Sequence, residues 1–137
     1  MANNKETLNL GRQIQMGKGK TLTTQIDLSN LGEGYEKFIG KFTFHYPTLM
    51  ERMRIGVIKA NFLGNTPAGT VDMLTDNIAH MTATLSVVVD NAPDWFKLDF
   101  LEDYDVLESI YDKYFEWYSS FRNKSAGSDN QGDSQES

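Results

Sequence analysis

Residues 94–122, DWFKLDFLEDYDVLESIYDKYFEWYSSFR, combine ten aromatic rings with eight carboxylates. Paired carboxylates can exchange protons with a substrate or hold a divalent cation. Here, however, Asp105, Glu108, Asp112 and Glu116 recur at intervals of three and four, which places them on one side of a helix. The segment also lacks the glycine that a calcium-binding loop requires. We therefore expect a solvated or protein-contacting face rather than a catalytic or metal site.

The two histidines add little chemistry of their own. His45 alternates away from Phe42 and Phe44 in a predicted strand. His80 lies on the polar side of a predicted helix, and Thr84 stands where a second metal ligand would be needed. We expect both histidines to be solvated. The chain has no cysteine, so thiolate catalysis, thiolate metal sites and disulfides are excluded. No metal or cofactor is expected, and the protein is not expected to be an enzyme.

The segment Gly19-Lys20-Thr21 imitates the end of a phosphate-binding loop. The complete pattern requires a glycine five positions before Gly19, where this chain has Ile14. The residues after Thr21 favour a strand, whereas a phosphate cradle needs the N-terminus of a helix. A nucleotide site is therefore not expected.

Charge is unevenly distributed along the chain, whose formal net charge is −6. Residues 1–64 carry nine Lys and Arg against five Asp and Glu, whereas residues 90–118 carry nine acids against two lysines. The overall acidity argues against a nucleic-acid partner, because the phosphate backbone needs a positive surface. The asymmetry permits head-to-tail self-association or a basic partner.

The aromatic residues of the acidic segment are too numerous for one buried helical stripe. Some must pack in the core, and the remainder would lie on the surface, where Trp and Tyr are enriched at protein interfaces. Base stacking is the competing use of such rings, but the neighbouring carboxylates would repel phosphates. We assign the following residues to a partner-binding surface: Trp95, Tyr111, Tyr114, Trp117 and Tyr118.

Two N-terminal segments predict an antiparallel strand pair. Residues 21–28 are Thr-rich and alternate in polarity, and residues 37–46 place Phe42 and Phe44 at the period of a strand with one buried face. Gly40 shares that face and indicates a bulge or a close approach of another segment.

Three helices are predicted, at about 48–63, 70–90 and 103–122. Thr48 with Glu51 forms a capping box for the first helix, and Asp105 or Asp103 caps the third. A stripe of apolar residues on each of the first two helices is expected to face the core. These stripes are Met50, Met53, Val57 and Ala60, widened by Ile55, Ile58 and Phe62, and then Val71, Leu74, Ile78, Met81, Leu85 and Val88.

The predicted fold is mainly α (α+β), in one globular domain at residues 21–122. Residues 1–20 are polar and are expected to be a flexible segment, and residues 123–137 are too poor in apolar side chains to remain ordered. The first residues lack the apolar run of a signal peptide, and no window is apolar enough for a membrane span. We therefore expect a soluble, cytoplasmic protein without a membrane partner.

The order of these segments resembles that of tail assembly chaperones of long-tailed, siphovirus-like bacteriophages and prophages. The similar features are the pattern F-x-F-x-Y-P-T at residues 42–48, the sequence APDW at residues 92–95, and the Tyr- and Trp-rich closing helix. They extend over about residues 38–122. Each is a loose pattern and none is a catalytic signature.

The resemblance implies a small, mostly helical protein that is not an enzyme. Such chaperones bind the tape-measure protein, keep it soluble and help tail tube subunits polymerise around it in the host cytoplasm. They are generally not part of the mature virion, and many families reach the tail tube protein through a longer, frameshifted form. We also expect this chain to self-associate, because its two ends carry opposite charge. The alternative is a structural virion protein, such as a tail-completion or connector subunit.

Overall fold

Three helices and a three-stranded antiparallel sheet make up the residues that the computed structural model describes, 20–67 and 69–129. This architecture confirms the predicted α+β class. In chain order the elements are β1 Thr21–Asp27, β2 Ile39–His45, α1 Leu49–Phe62, α2 Met73–Val88, β3 Val89–Asn91 and α3 Tyr104–Asp129. A short 3-10 helix, Ser29–Leu31, lies in the connection between β1 and β2.

Strands β1 and β2 form the predicted antiparallel pair, with β2 at the centre of the sheet. Their register pairs Thr24 with Phe42 and Ile26 with Gly40, so these four residues share one face. Phe42 and Ile26 are fully buried on that face. The opposite face is polar except for Ile39, which is exposed at the start of β2. The period-two pattern of the sequence therefore identified the buried face correctly.

Helix α1 begins at the predicted capping box. The Thr48 hydroxyl accepts a hydrogen bond from the Glu51 backbone N–H at 3.1 Å, and Glu51 Oε1 accepts one from the Thr48 N–H at 2.9 Å. The reciprocal pair satisfies two backbone donors that the start of a helix leaves without intrahelical partners.

Helix α2 is shorter than predicted at both ends. Asp72 caps it by accepting a hydrogen bond from the Thr75 N–H at 2.7 Å, so the helix starts at Met73 rather than at residue 70. It ends at Val88, and Val89–Asn91 form a third strand, which the sequence pattern did not predict. Consecutive β-branched valines disfavour a longer helix, and the free edge of β2 supplies hydrogen-bond partners for a strand.

Helix α3 is capped by Asp103, whose Oδ1 accepts a hydrogen bond from the Asp105 N–H at 2.8 Å. The helix continues to Asp129, past the predicted end at residue 122, so the tail predicted to be disordered begins in a helix. Residues 130–137 of that tail and residues 1–19 of the predicted flexible segment lie outside the described residues.

The core lies between the aromatic face of the sheet and helices α2 and α3. Phe42 and Phe44 stack on each other with ring centroids 6.0 Å apart, and Phe44 contacts Tyr114 of α3 at 5.8 Å. The largest fully buried side chains are Phe42, Phe44, Ile26, Leu85, Ile110, Val88 and Val106. Burying these side chains is the main favourable contribution to folding.

Gly40 lies where another segment crosses β2 closely, as the sequence predicted. A Cβ at this position would lie 2.5 Å from Pro93 Cγ, in the connection between β3 and α3. Trp95 fixes the same connection, because its indole N–H donates a hydrogen bond to the Ile39 carbonyl at 3.0 Å. This contact holds the APDW segment against the start of β2.

We expect Gly40→Ala to destabilise the protein by about 1–3 kcal/mol, because the added methyl group overlaps the Pro93 ring. Gly56→Ala is the matched control. Gly56 lies in α1 with open space at its Cβ position, so alanine should stabilise the helix by about 0.5–1 kcal/mol. Urea unfolding of both variants measures the two changes. Equal stabilities for G40A and wild type would contradict the close approach.

Candidate partner-binding surfaces

A cleft of about 480 Å³ separates α1 from α3, and its floor is formed by α2. Tyr111, Tyr114, Phe115 and Tyr118 recur at intervals of three and four on α3, so they form one continuous aromatic wall. Tyr111 stacks on Phe115 with ring centroids 5.8 Å apart, and Tyr114 stacks on Tyr118 at 5.7 Å. We call this feature the aromatic cleft.

The opposite wall of the aromatic cleft is basic. Arg52 and Lys59 of α1 line it, and His80 of α2 lies against the Tyr111 ring at 5.8 Å. Lys59 makes an ion pair with Asp76 at 3.3 Å, whereas Arg52 makes no ion pair with any described residue. Among the residues that the structure describes, no carboxylate lines the cleft. The cleft therefore offers aromatic surface and an unpaired guanidinium to a ligand.

His80 is exposed at the rim of the cleft, as expected, and the Tyr111 ring lies against one side of its imidazole. Burial lowers its pKa, and the nearby charge of Lys59 lowers it further, while Asp76 acts in the opposite direction. Desolvation disfavours the imidazolium form, so the structure favours neutral His80.

Three of the five residues predicted to bind a partner line the aromatic cleft: Tyr111, Tyr114 and Tyr118. The surface position expected for Tyr114 is wrong, because its side chain is 3% exposed and packs against Phe44 in the core. Burial raises its pKa strongly. Tyr111 and Tyr118 are half-buried and lie at the boundary between the core and the cleft.

Trp117 and Trp95, the other two predicted residues, lie outside the cleft. Trp117 packs edge-on against Tyr46 at 6.1 Å and against Phe121 at 5.5 Å. Trp95 packs edge-on against Phe38 at 5.1 Å and is held by its hydrogen bond to β2. Both are half-buried, so their primary contacts are within the domain. Their role toward a partner stays a prediction.

Helix α1 presents an apolar face to solvent, contrary to the predicted inward stripe. Met50 is 70% exposed, Met53 is 58% exposed, and Leu49 and Val57 extend the same face. The side chain buried on this helix is Ile55, which lies on the opposite side. We call the exposed stripe of Leu49, Met50, Met53 and Val57 the outer face of α1.

The start of α2 adds apolar surface at one end of the α1–α2 hairpin. Met73 and Leu74 are exposed in its first turn, and the Lys59–Asp76 ion pair brings the end of α1 next to this turn. The N-terminal half of the stripe predicted on α2 thus faces solvent, whereas its C-terminal half is buried. A sequence signal for this surface existed, since apolar residues occur on two opposite sides of α1 and only one side can pack inward.

His45 joins three elements, contrary to the expectation that it is solvated. Its Nδ1 lies 2.8 Å from Asp90 Oδ1 on β3, and its Nε2 lies 3.0 Å from Glu51 Oε2 on α1. Each ring nitrogen therefore lies within hydrogen-bonding distance of a carboxylate oxygen. Burial acts to raise the pKa of Glu51, but bonds from Thr48 and His45 and nearby positive charge outweigh it and lower that pKa. The interaction anchors the start of α1 to the sheet.

Among residues 20–67 and 69–129, no three or more His, Asp or Glu side chains are grouped so that they could hold a metal ion. None of the described helices has the length and apolar character needed to cross a membrane.

Comparisons of the chain with family models, curated proteins and solved structures found no match. The resemblance to tail assembly chaperones therefore stays a prediction from the sequence.

We expect Tyr114→Ala to cost about 3–5 kcal/mol of stability, because it removes a buried ring and leaves a cavity beside Phe44. Tyr114→Phe keeps the ring and should retain most of the stability. Chemical denaturation of the two variants separates these outcomes. If Tyr114→Ala left stability unchanged and impaired only association, Tyr114 would be a surface residue after all.

We expect His80 to make the folded state less stable as pH falls below its ordinary pKa of 6.5. The unfolded chain takes up the proton first, so the free energy of unfolding declines until pH falls below the lowered pKa of the folded state. His80→Gln should remove this component. The measurement is the difference in unfolding free energy between wild type and H80Q from pH 8 to pH 5. A difference that does not vary with pH would contradict the partial burial of His80.

Proposed function

We propose that this chain is a tail assembly chaperone of a long-tailed phage or prophage, which binds the tape-measure protein and keeps it soluble. Tail tube subunits would then polymerise around that complex. The observation that carries the proposal is the outer face of α1, where four large apolar side chains face solvent on a single helix. A contiguous exposed apolar surface is typical of a protein-interaction site.

The composition of the outer face suits an elongated helical client. Methionine is unbranched and flexible, so Met50 and Met53 can adapt to many different apolar side chains. Surfaces rich in methionine are typical of proteins that bind several related helices. Arg54 lies beside the stripe on the same helix and would favour acidic residues next to the client's apolar positions.

The segments that resemble the chaperone family lie where the elements of this fold join. The F-x-F-x-Y-P-T pattern runs from the core residues of β2 to the cap of α1, and APDW connects β3 with α3. The resemblance therefore concerns residues that fix the positions of α1 and α3. The further partners proposed are the tail tube protein, through a longer frameshifted form, and other copies of this chain. The proposed location is the host cytoplasm, with no chaperone in the mature virion.

We expect the double substitution Met50→Ser with Met53→Ser to lower recovery of soluble tape-measure protein on co-expression. Each methionine buried against the client contributes about 1.5–3 kcal/mol, so losing both should weaken binding about a hundredfold or more. Both side chains are exposed in the free protein, so its melting temperature should change little. The readouts are the soluble fraction and co-purification of the long helical product of the neighbouring gene.

The matched control replaces two exposed apolar residues away from α1, Leu31→Ser with Ile39→Thr. This variant should retain client binding. Equal recovery of the client with both double variants and wild type would contradict the role of the outer face. Abundant copies of the chain in purified virions would instead favour the structural virion protein.

A further inference from the structure

We infer that the aromatic cleft is one half of a head-to-tail contact between copies of this chain, and that the segment around Phe100 is the other half. The inference deepens the self-association within the proposed function by naming its two surfaces. It uses a different side of α1 from the outer face. Contact between copies can therefore be measured without any client.

The cleft is built to receive an acidic, aromatic segment. Its volume of about 480 Å³ lies within the range of about 300–1,000 Å³ that is typical of ligand sites. One wall offers the exposed edge of Phe115 and the half-buried rings of Tyr111 and Tyr118, which could pack against a further ring. The other wall holds Arg52 without an ionic partner among the described residues. An acidic group on the incoming segment would supply that partner.

The chain itself carries a segment with the complementary properties. Phe100 is 80% exposed and is flanked by the exposed acidic residues Asp99 and Glu102. A hydrogen bond from the Phe100 N–H to the Lys97 carbonyl at 2.9 Å fixes the turn that presents the ring. The Tyr35 hydroxyl donates to Asp103 at 2.5 Å and anchors the end of the segment. The aromatic ring is therefore exposed and lies between two carboxylates, with Lys37 and Lys97 also near it.

The Phe100 segment of one copy cannot fill the cleft of the same copy. The segment ends at the cap of α3, whereas Tyr111 and Tyr118 lie well along that helix. At a rise of about 1.5 Å per residue, Tyr111 is roughly 10 Å from the start of α3 and Tyr118 is farther. The hydrogen bond between Tyr35 and Asp103 holds the end of the segment beside Tyr35, which does not line the cleft. Since Phe100 does not line the cleft, each contact joins two different surfaces. Repeated head to tail, such contacts join copies in a row or ring.

The test uses two variants of the purified full chain without client, Arg52→Glu and Phe100→Ser. Wild type should show concentration-dependent association in sedimentation velocity. Each variant alone should associate about tenfold or more weakly, because R52E loses the cleft and F100S loses the ring. An equimolar mixture should form a discrete heterodimer, because the intact ring segment of R52E enters the intact cleft of F100S. The remaining two surfaces of that heterodimer are both defective, so it cannot grow.

The matched controls are Arg54→Glu, which makes the same charge change on α1 at a residue outside the cleft lining, and Leu31→Ser, which removes another exposed apolar side chain. Both should associate like wild type, and circular dichroism should show that all variants are folded. A mixture of R52E and F100S that stays monomeric, while wild type associates, would overturn the contact. A wild type that is monomeric at high concentration would overturn it equally.

Client co-purification separates this contact from the proposed function. R52E and F100S leave the outer face of α1 intact, so both should still solubilise the client. A different result would be a monomeric wild type that binds the client and an R52E variant that does not. The cleft would then hold an acidic client segment, and the contact between copies would be overturned. If M50S/M53S failed to self-associate while R52E and F100S still associated, the contact between copies would lie on the outer face. That result would also overturn the inference.

Discussion

The rest of this structure depends on one contact, the packing of α2 and α3 against the aromatic face of the sheet. Phe42 and Phe44 are fully buried, and α2 and α3 supply the side chains that cover them. Two helices are enough to cover the single apolar face of a three-stranded sheet. Helix α1 therefore lies at the margin, where it packs through Ile55 and is held by the ionic contacts of Glu51 and Lys59. Its outer face has no packing partner within the described domain.

Features that depend on neighbouring residues could be predicted from the sequence. The capping box of Thr48 and the alternation of Phe42 with Phe44 are local patterns, and the close approach at Gly40 followed from a glycine on a buried strand face. The buried side of α1 could not be predicted, because its apolar residues occupy two opposite sides. The packing of α2 and α3 decides between those sides, and that packing is not encoded within α1 itself.

The aromatic cleft could not be predicted from the sequence either, because it also depends on how the helices pack. Its walls come from three helices, with Arg52, His80 and the rings of α3 separated widely along the chain. The aromatic residues of α3 were identified, but nearly every turn of that helix carries a ring, so periodicity alone did not show that Tyr114 is buried. His45 was misjudged because its partner Asp90 lies 45 residues away, on a strand too short to show a periodic pattern.

The two proposed contacts use two sides of the same helix, and this arrangement has a consequence for binding a long client. Arg52 on the cleft side of α1 would set the spacing between copies, while Met50 and Met53 on the outer face would contact the client. Linked copies bind with an avidity that far exceeds the affinity of one copy. Each outer face can then remain small, which limits the exposed apolar area of the free chain and its tendency to aggregate. A net charge of −6 acts in the same direction, because free copies repel one another wherever complementary surfaces do not meet.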